Sequence, residues 1–416
     1  MAIPHVHLNT FSGVVYAGRI MDRRLHAVVL PPGPRLLRVL TAALDGTGPA
    51  VCPLPPGLPG PALHGLLTAL APHSVETEDG VTRHRAEAGT DSTPVADRTA
   101  VLIATSGSTG APKFVELTAA ALRHSAAGTL ARIGAAPGDR WLCCVPTSHV
   151  SGVQVLVRAL VAGTEPIILP RFDTAAVVSG AAPGVHIAMV PTQLRRLLDA
   201  GADLTAFGAV VLGGAAAAPG LLAEARARGG RIFPSYGMSE TSGGCVYDGV
   251  PLDGMRFALG DGGRIRIAGP SLFTGYRLRP DLTTEAMDGG WFVTQDLGAV
   301  EDGRLRVRGR VDDVINTGGE KVLAGEVAIA LSRHPGVRDV VVVGRPDPEW
   351  GERVTAVVVP SPGASGVPAL PELRALVRET LPAHAAPHEL ELVEAIPLLA
   401  SGKPDRARLR APAPGR

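Results

Sequence analysis

From residue 99 onward, short apolar runs alternate with segments of helical period, and this alternation constrains the fold more than any other feature of the chain. The run TAVLIA at 99–104 carries no charge and is too short for a helix, so it reads as a buried strand. A helix is expected at 119–133, with Thr118 placed to cap its first turn. The rhythm then repeats as strand 186–190, helix 191–198 opened by proline, strand 209–212, helix 219–228 and strand 231–233. Strands joined through helices pair in parallel, with helices covering both faces of the sheet. Ligands of such sheets collect outside the carboxyl ends of the strands. The segments that begin at Thr105, Gly213 and Ser235 all follow strands, so they are expected to meet in one crevice.

The first of these segments is TSGSTGAPK at 105–113. Hydroxyls and free backbone N–H groups donate to phosphate oxygens, and glycine lets the backbone approach closely. Lys113 can offset phosphate charge. The run therefore reads as a polyphosphate cradle, although it is not a Walker loop, which needs its lysine directly at the start of a helix.

Composition narrows the function. Hydrophobic residues make up 45% and charged residues 19% of the 416, enough for a large core. A net charge of +1 leaves no basic surplus for nucleic acid or an anionic membrane, and an aromatic fraction of 4% argues against a base-stacking surface. Cys52, Cys143, Cys144 and Cys245 form no C-x-x-C pair, so metal and disulfide frameworks are not expected and a reducing cytoplasm fits. No apolar run approaches the roughly 20 residues of a membrane span. Residues 1–20 lack the order of a signal peptide and are read as an extension ahead of Met21.

Residues 36–71 read as helical stretches broken by proline and glycine, and residues 76–97 as loop. After residue 254 short strands and turns dominate, including 264–267 and 305–307. A second unit is expected from residue 311, with helices at 324–332 and 370–380 and strands at 337–343 and 354–359. The fold expected is α/β. A large domain over 1–310 holds parallel sheets and a small β-rich subdomain, and a small mobile α/β domain occupies 311–416.

TSGSTGAPK resembles the phosphate-loop signature of the acyl-adenylate-forming superfamily of acyl- and aryl-CoA ligases, luciferases and peptide-synthetase adenylation domains. Four further segments match in the same order. SYGMSET at 235–241 resembles the adenine and magnesium motif, and WFVTQD at 291–296 the ribose motif. GRVDDVINTGGEKV at 309–322 resembles the hinge and its loop, and SGKPDR at 401–406 the C-terminal lysine motif.

The resemblance implies ATP, Mg²⁺ and CoA as reactants, and a set of roles. Thr105, Ser106, Gly107, Ser108, Thr109, Gly110 and Lys113 would hold the phosphates. Tyr236 would stack on adenine, with Gly213, Gly214 and Ala215 against the other face and Ser235, Gly237, Met238 and Ser239 beside it. Glu240 would hold Mg²⁺, Asp296 would accept from the ribose hydroxyls, and Arg310 would contact ribose or phosphate. Lys403 would stabilise the charge that grows on the α-phosphate and the leaving pyrophosphate. Rotation about Asp312 would then bring Gly318 and Gly319 in to line a tunnel for the pantetheine thiol.

The acid is narrowed by the same resemblance. Peptide-synthetase relatives place an aspartate near the position of Val150, where this chain has no carboxylate, so amino acids are disfavoured. His149 and Ser151 are candidates to orient an acyl or aryl carboxylate. SYGMSETSGGCVYDGVPLDG at 235–254 resembles the compact o-succinylbenzoate–CoA ligases of high-GC bacteria, which serve menaquinone synthesis. The alternatives are another aryl- or acyl-CoA ligase and a carrier-protein-loading adenylation enzyme. The second carboxylate of o-succinylbenzoate would be met by Arg158, Arg195 or Ser242, among which the sequence does not choose. Two residues depart from the superfamily pattern. Phe114 replaces the usual glycine after the loop lysine, to pack beneath the loop or crowd it, and Gln295 stands where glycine is usual.

Overall fold

The 99–104 run becomes the strand Thr99–Ser106, and the chain then folds straight back as a second strand, Pro112–Thr118, that the sequence reading missed. The two pair antiparallel with Thr105 opposite Lys113, so the phosphate-type segment joins two strands rather than a strand and a helix. Phe114 is 2% exposed and packs with Leu25, Cys52 and Leu102, so it lies in the core. The helix Ala119–Ile133 follows as expected, with the Thr118 hydroxyl accepting from the Ala121 N–H at 3.0 Å. This computed structural model describes residues 22–84, 92–106, 112–362, 367–399 and 404–411. Gly107, Ser108, Thr109, Gly110, Lys403 and the extension expected at 1–20 lie outside them.

The hairpin belongs to a seven-stranded sheet with the order Gly275–Tyr276, Pro112–Thr118, Thr99–Ser106, Ala50–Pro53, Leu25–Val28, Ser74–Thr77 and Gly80–Arg83. The segment read as loop over 76–97 thus supplies strands, including Val95–Ala96. Its Gly80–Arg83 strand is mostly exposed, so no apolar alternation marked it.

A second seven-stranded sheet has the order Ile167–Ile168, Arg140–Cys143, Val185–Met189, Ala209–Leu212, Ile232–Met238, Gly243–Tyr247 and Val250–Pro251. The first five are parallel, as the strand–helix rhythm requires, and the last two are antiparallel. The strand expected at 231–233 continues through Met238, so Ser235, Tyr236 and Gly237 sit within a strand and not on a loop. Pairing with Gly243–Tyr247 extends it, a long-range effect invisible to local pattern. Trp141, Val155, Leu122 and Tyr247 form part of one core with Val101 and Val115 of the first sheet.

The β-rich part is an antiparallel sheet of Arg256–Leu259, Arg264–Ala268, Trp291–Glu301 and Met287–Asp288, with Arg304–Arg310 along Trp291–Glu301. After the turn Val311–Asp313 the chain enters a separate sheet of Glu320–Leu323, Val314–Thr317, Gly351–Pro360, Val337–Asp347 and Glu389–Leu392. The helices Ala324–Leu331 and Leu370–Arg378 close its own core around Val327, Val342, Ala356 and Leu373. The architecture is mixed α/β throughout, as expected.

Cys52, Cys143, Cys144 and Cys245 are all buried, and burial pushes each thiol up to about 12. Thiolate is the reactive form. A disulfide reagent at neutral pH is therefore expected to titrate none of the four rapidly in the native protein and all four after denaturation. Fast native reaction of one thiol would contradict the packing.

Candidate active site

Three strand ends and one turn converge. The turn Ser239–Thr241 follows directly from the strand that carries Tyr236 and is pinned by the Thr241 hydroxyl, which meets the Met238 N–H at 2.9 Å and donates to the Gly243 carbonyl at 2.7 Å. The Phe273 N–H donates to the Glu240 carbonyl at 2.8 Å, which ties the turn to the segment leading into Gly275–Tyr276. The Tyr276 hydroxyl donates to Glu240 Oε1 at 2.8 Å. Lys113 lies with Nζ 5.5 Å from the Tyr276 ring centroid, because Gly275–Tyr276 pairs alongside Pro112–Thr118. Cation, phenol and carboxylate thus stand in a row.

Burial raises the Glu240 carboxyl above its usual range, while backbone and Tyr276 hydrogen bonds and the nearby Lys113 and Arg310 charges pull it back. Burial, reinforced by Glu240, raises the Tyr276 phenol, which stays protonated and donates.

A second row repeats the chemistry. The Tyr236 hydroxyl donates to Asp296 Oδ2 at 2.7 Å, and Arg310 reaches Asp296 Oδ1 at 3.3 Å and Asp312 Oδ2 at 3.3 Å. Asp296 is 7% exposed, and its N–H donates to the Thr294 hydroxyl at 3.0 Å. Burial first, and Asp296 second, raise the Tyr236 phenol. Asp296 and Arg310 are directly opposite in the strand pair, which explains their meeting.

Gly213 and Gly214 follow the strand Ala209–Leu212, beside Ser235 and Val190. A Cβ on Gly213 would stand 2.8 Å from the Ser235 hydroxyl, and Gly214 has φ +80°, a conformation suited to glycine. Ala215 follows them in the same segment. His149 occupies the position just before the helix Val150–Val161, with exposed Ser151 in the first turn. Gly318 and Gly319, at φ +58° and +83°, form the tip of the hairpin between Val314–Thr317 and Glu320–Leu323, where Gly318 packs on Trp350. Among the described residues no hydrogen bond or ion pair joins that tip to the Tyr236–Asp296 row.

The three candidates for a second carboxylate separate cleanly. Arg195 pairs with Glu224 at 2.6 Å, beside the Arg338–Asp199 ion pair. It lines a cavity of about 200 Å³ with Ser332, at the end of the helix Ala324–Leu331, and Val337 of the last sheet, and no residue of either row lines it. Ser242 is buried and spends its hydroxyl on the Ser271 carbonyl at 2.8 Å. Arg158 is buried with no acidic partner among the described residues.

Tyr276 escaped the sequence reading, though a signal existed. The chain has only four tyrosines, and the three described ones, Tyr236, Tyr247 and Tyr276, all hydrogen-bond in or beside this region. In an aromatic-poor chain each deserved weight.

A fit of Mg²⁺ can be judged from the donors. Mg²⁺ favours one or two carboxylates completed by substrate phosphates and water. Among the described residues no group of three or more His, Cys, Asp or Glu could hold a metal ion by itself, and one oxygen of Glu240 accepts from Tyr276. A single carboxylate beside a phosphate-type segment fits such an ion when phosphates are present. No helix among the described residues is long and apolar enough to cross a membrane.

Comparison with known proteins places the chain in a family. Residues 62–277 match the AMP-binding enzyme family and residues 326–403 the AMP-binding enzyme C-terminal domain. A probable 2-succinylbenzoate–CoA ligase of Mycobacterium tuberculosis is 44% identical over 328 residues, covering 75% of this chain and 84% of that protein. The 2-succinylbenzoate–CoA ligase of Bacillus pumilus is 32% identical over 340 residues, covering 76% and 69%. Among solved structures, o-succinylbenzoate CoA synthetase (MenE) from Bacillus subtilis, in complex with the acyl-adenylate intermediate OSB-AMP, superposes with a TM-score of 0.78 at 26% identity, covering 95% of this chain and 90% of that one.

Proposed function

The chain belongs to the AMP-binding enzyme family, and we propose that it is an AMP-forming acid–CoA ligase that converts o-succinylbenzoate to its CoA thioester for menaquinone synthesis. The observation that carries this reading is the pair of phenol–carboxylate–cation rows, Lys113–Tyr276–Glu240 and Tyr236–Asp296–Arg310, at the edge of two sheets. One row suits the phosphates of ATP and the other its nucleoside. The relatives supply the acid.

In the first half-reaction a substrate carboxylate oxygen attacks the α-phosphorus of ATP, and the bond to pyrophosphate breaks. In the second the CoA thiol sulfur attacks the acyl carbon, the thiol proton is lost to solvent, and AMP leaves. Tyr236 presents a ring face whose angle is set by the bond from its hydroxyl to Asp296. Asp296, Gly213, Gly214 and Ala215 surround the nucleoside, and Lys113 meets the β- and γ-phosphates. Mg²⁺ on Glu240 would neutralise phosphate charge. His149 and Ser151 orient the acid at the helix end. Lys403 serves the first half-reaction, and Asp312 with Gly318 and Gly319 the second. Four buried reduced thiols suit a cytoplasmic site for this chemistry.

The test is AMP release from ATP, Mg²⁺ and CoA with a panel of acids. o-Succinylbenzoate is expected to give the highest kcat/KM. Turnover of a fatty acid with none of o-succinylbenzoate would overturn the substrate.

A further inference from the structure

Opposite charges that share a crevice attract, and a flexible lysine closes on a nearby carboxylate unless something stands between them. Lys113 and Glu240 are both half-buried, and the Lys113 charge reaches Glu240. Among the described residues the two nevertheless form no ion pair with each other, and Tyr276 meets both instead. Its ring centroid lies 5.5 Å from Lys113 Nζ, within cation–π range, and its hydroxyl donates to Glu240 Oε1 at 2.8 Å. Arg310, the other cation near Glu240, is engaged by Asp296 and Asp312 at 3.3 Å each. Lys113 is therefore the cation left to close on Glu240.

Tyr276 is held in place from several sides. Its N–H donates to the Thr283 hydroxyl at 2.9 Å, and it pairs with Val115, two residues beyond Lys113. Its ring packs at 5.0 Å on Phe273, which meets Phe292 at 5.3 Å. The next residue, Arg277, is buried, and its guanidinium donates to the carbonyls of Leu70, Ala71, Thr93 and Pro94. The Arg277 N–H donates to the Phe114 carbonyl at 2.9 Å. Burial keeps the Tyr276 phenol protonated, so the Glu240 carboxylate always meets a donor there.

We infer that Tyr276 is a positioning residue that keeps Lys113 and Glu240 apart, so that the lysine stays available to phosphate oxygens and the carboxylate stays oriented for Mg²⁺. The hydroxyl fixes the carboxylate. The ring gives the ammonium a weak partner that a phosphate readily displaces. A direct Lys113–Glu240 pair would instead cancel both charges and have to break before ATP could bind. This rests on the ATP site proposed above.

Calorimetric titrations with AMP, with ATP in EDTA, and with ATP and Mg²⁺ test the role. AMP lacks the β- and γ-phosphates and serves as the reference. Tyr276→Phe keeps the ring and loses the hydroxyl. The gain in ATP affinity on adding Mg²⁺ is then expected to fall about tenfold, with AMP and metal-free ATP binding unchanged. Tyr276→Leu also removes the ring and lets Lys113 close on Glu240, so metal-free ATP affinity is expected to fall about tenfold. Adding Glu240→Gln to Tyr276→Leu should restore it, because the lysine then has no carboxylate to meet. A merely structural role would weaken AMP and ATP alike. That outcome, or a Tyr276→Phe protein with the wild-type response to Mg²⁺, overturns the inference. Tyr276→Phe preserves the packing on Phe273, so its result stands even if Tyr276→Leu does not fold. A wild type that binds neither nucleotide would instead sink the ATP site itself.

Discussion

Lys403→Ala is expected to lower ATP–pyrophosphate exchange by about a hundredfold to a thousandfold and to leave thioester formation from supplied acyl-adenylate largely intact. The first half-reaction concentrates negative charge on the α-phosphate and the departing pyrophosphate. A cation delivered there stabilises charge that exists only in the transition state, so its loss falls on kcat. Lys403 is outside the described residues, and the residues after it are tied to the turn Val311–Asp313. Pro404 bridges back to Leu398. In the helix Arg406–Arg410, Arg406 pairs with Asp313 at 3.3 Å and Arg410 donates to the Asp312 carbonyl at 2.9 Å. That turn begins next to Arg310, which holds Asp296. The helix Arg406–Arg410 that follows is therefore moored to the turn Val311–Asp313. The acyl-adenylate already contains the new bond, so the second half-reaction does not need the lysine. Equal loss of both half-reactions would remove Lys403 from this role.

Gly237→Ala is expected to have the second large effect, on folding and on ATP binding together. A Cβ at Gly237 would sit 2.0 Å from the Gly243 carbonyl oxygen and 2.7 Å from both the Gly243 carbonyl carbon and the Gly244 Cα. All three are backbone atoms, so relief requires the two strands to part. Overpacking of flexible side chains costs about 1–3 kcal/mol, and a backbone clash lies at or beyond the upper end. The same pairing holds Tyr236 against Asp296 and sets the Glu240 turn, so KM for ATP should rise as well. Gly65→Ala is the control. Gly65 lies inside the helix Gly60–Leu70 with nothing within 4 Å of an added Cβ, and alanine there should stabilise by up to about 1 kcal/mol. A Gly237→Ala protein with wild-type melting temperature and KM for ATP would contradict the packing.

Much of the α/β core was legible because its signals are local. The Ala119–Ile133 helix matches its expected limits, and the parallel strands Val185–Met189 and Ala209–Leu212 lie within a residue of theirs. What escaped was set by distant partners. Pro112–Thr118 becomes a strand because Thr99–Ser106 pairs with it, and Ile232–Met238 runs past its apolar start because Gly243–Tyr247 lies alongside. Ser74–Thr77 and Gly80–Arg83 escaped because the second exposes one side of a hairpin to water. At the site, Glu240 and Asp296 were readable as acids in recognisable motifs. That each would be held by a tyrosine hydroxyl was not readable.

The sequence by itself determined the reaction class. Ligand atoms dictate short runs of residue types, and such runs keep their order along the chain whatever the packing. Only the tertiary structure decided the partners: Tyr236 with Asp296 across 60 residues, and Tyr276 with Glu240 across 36. It also decided which arginine was left over. Arg158 and Arg195 look alike in sequence, both in segments near the expected pocket. Arg195 meets Glu224, 29 residues on, while Arg158 is buried against an aromatic ring and a phenol with no acid to meet among the described residues. Burial and pairing arise from contacts between segments far apart in sequence, and those contacts exist only once the sheets have closed.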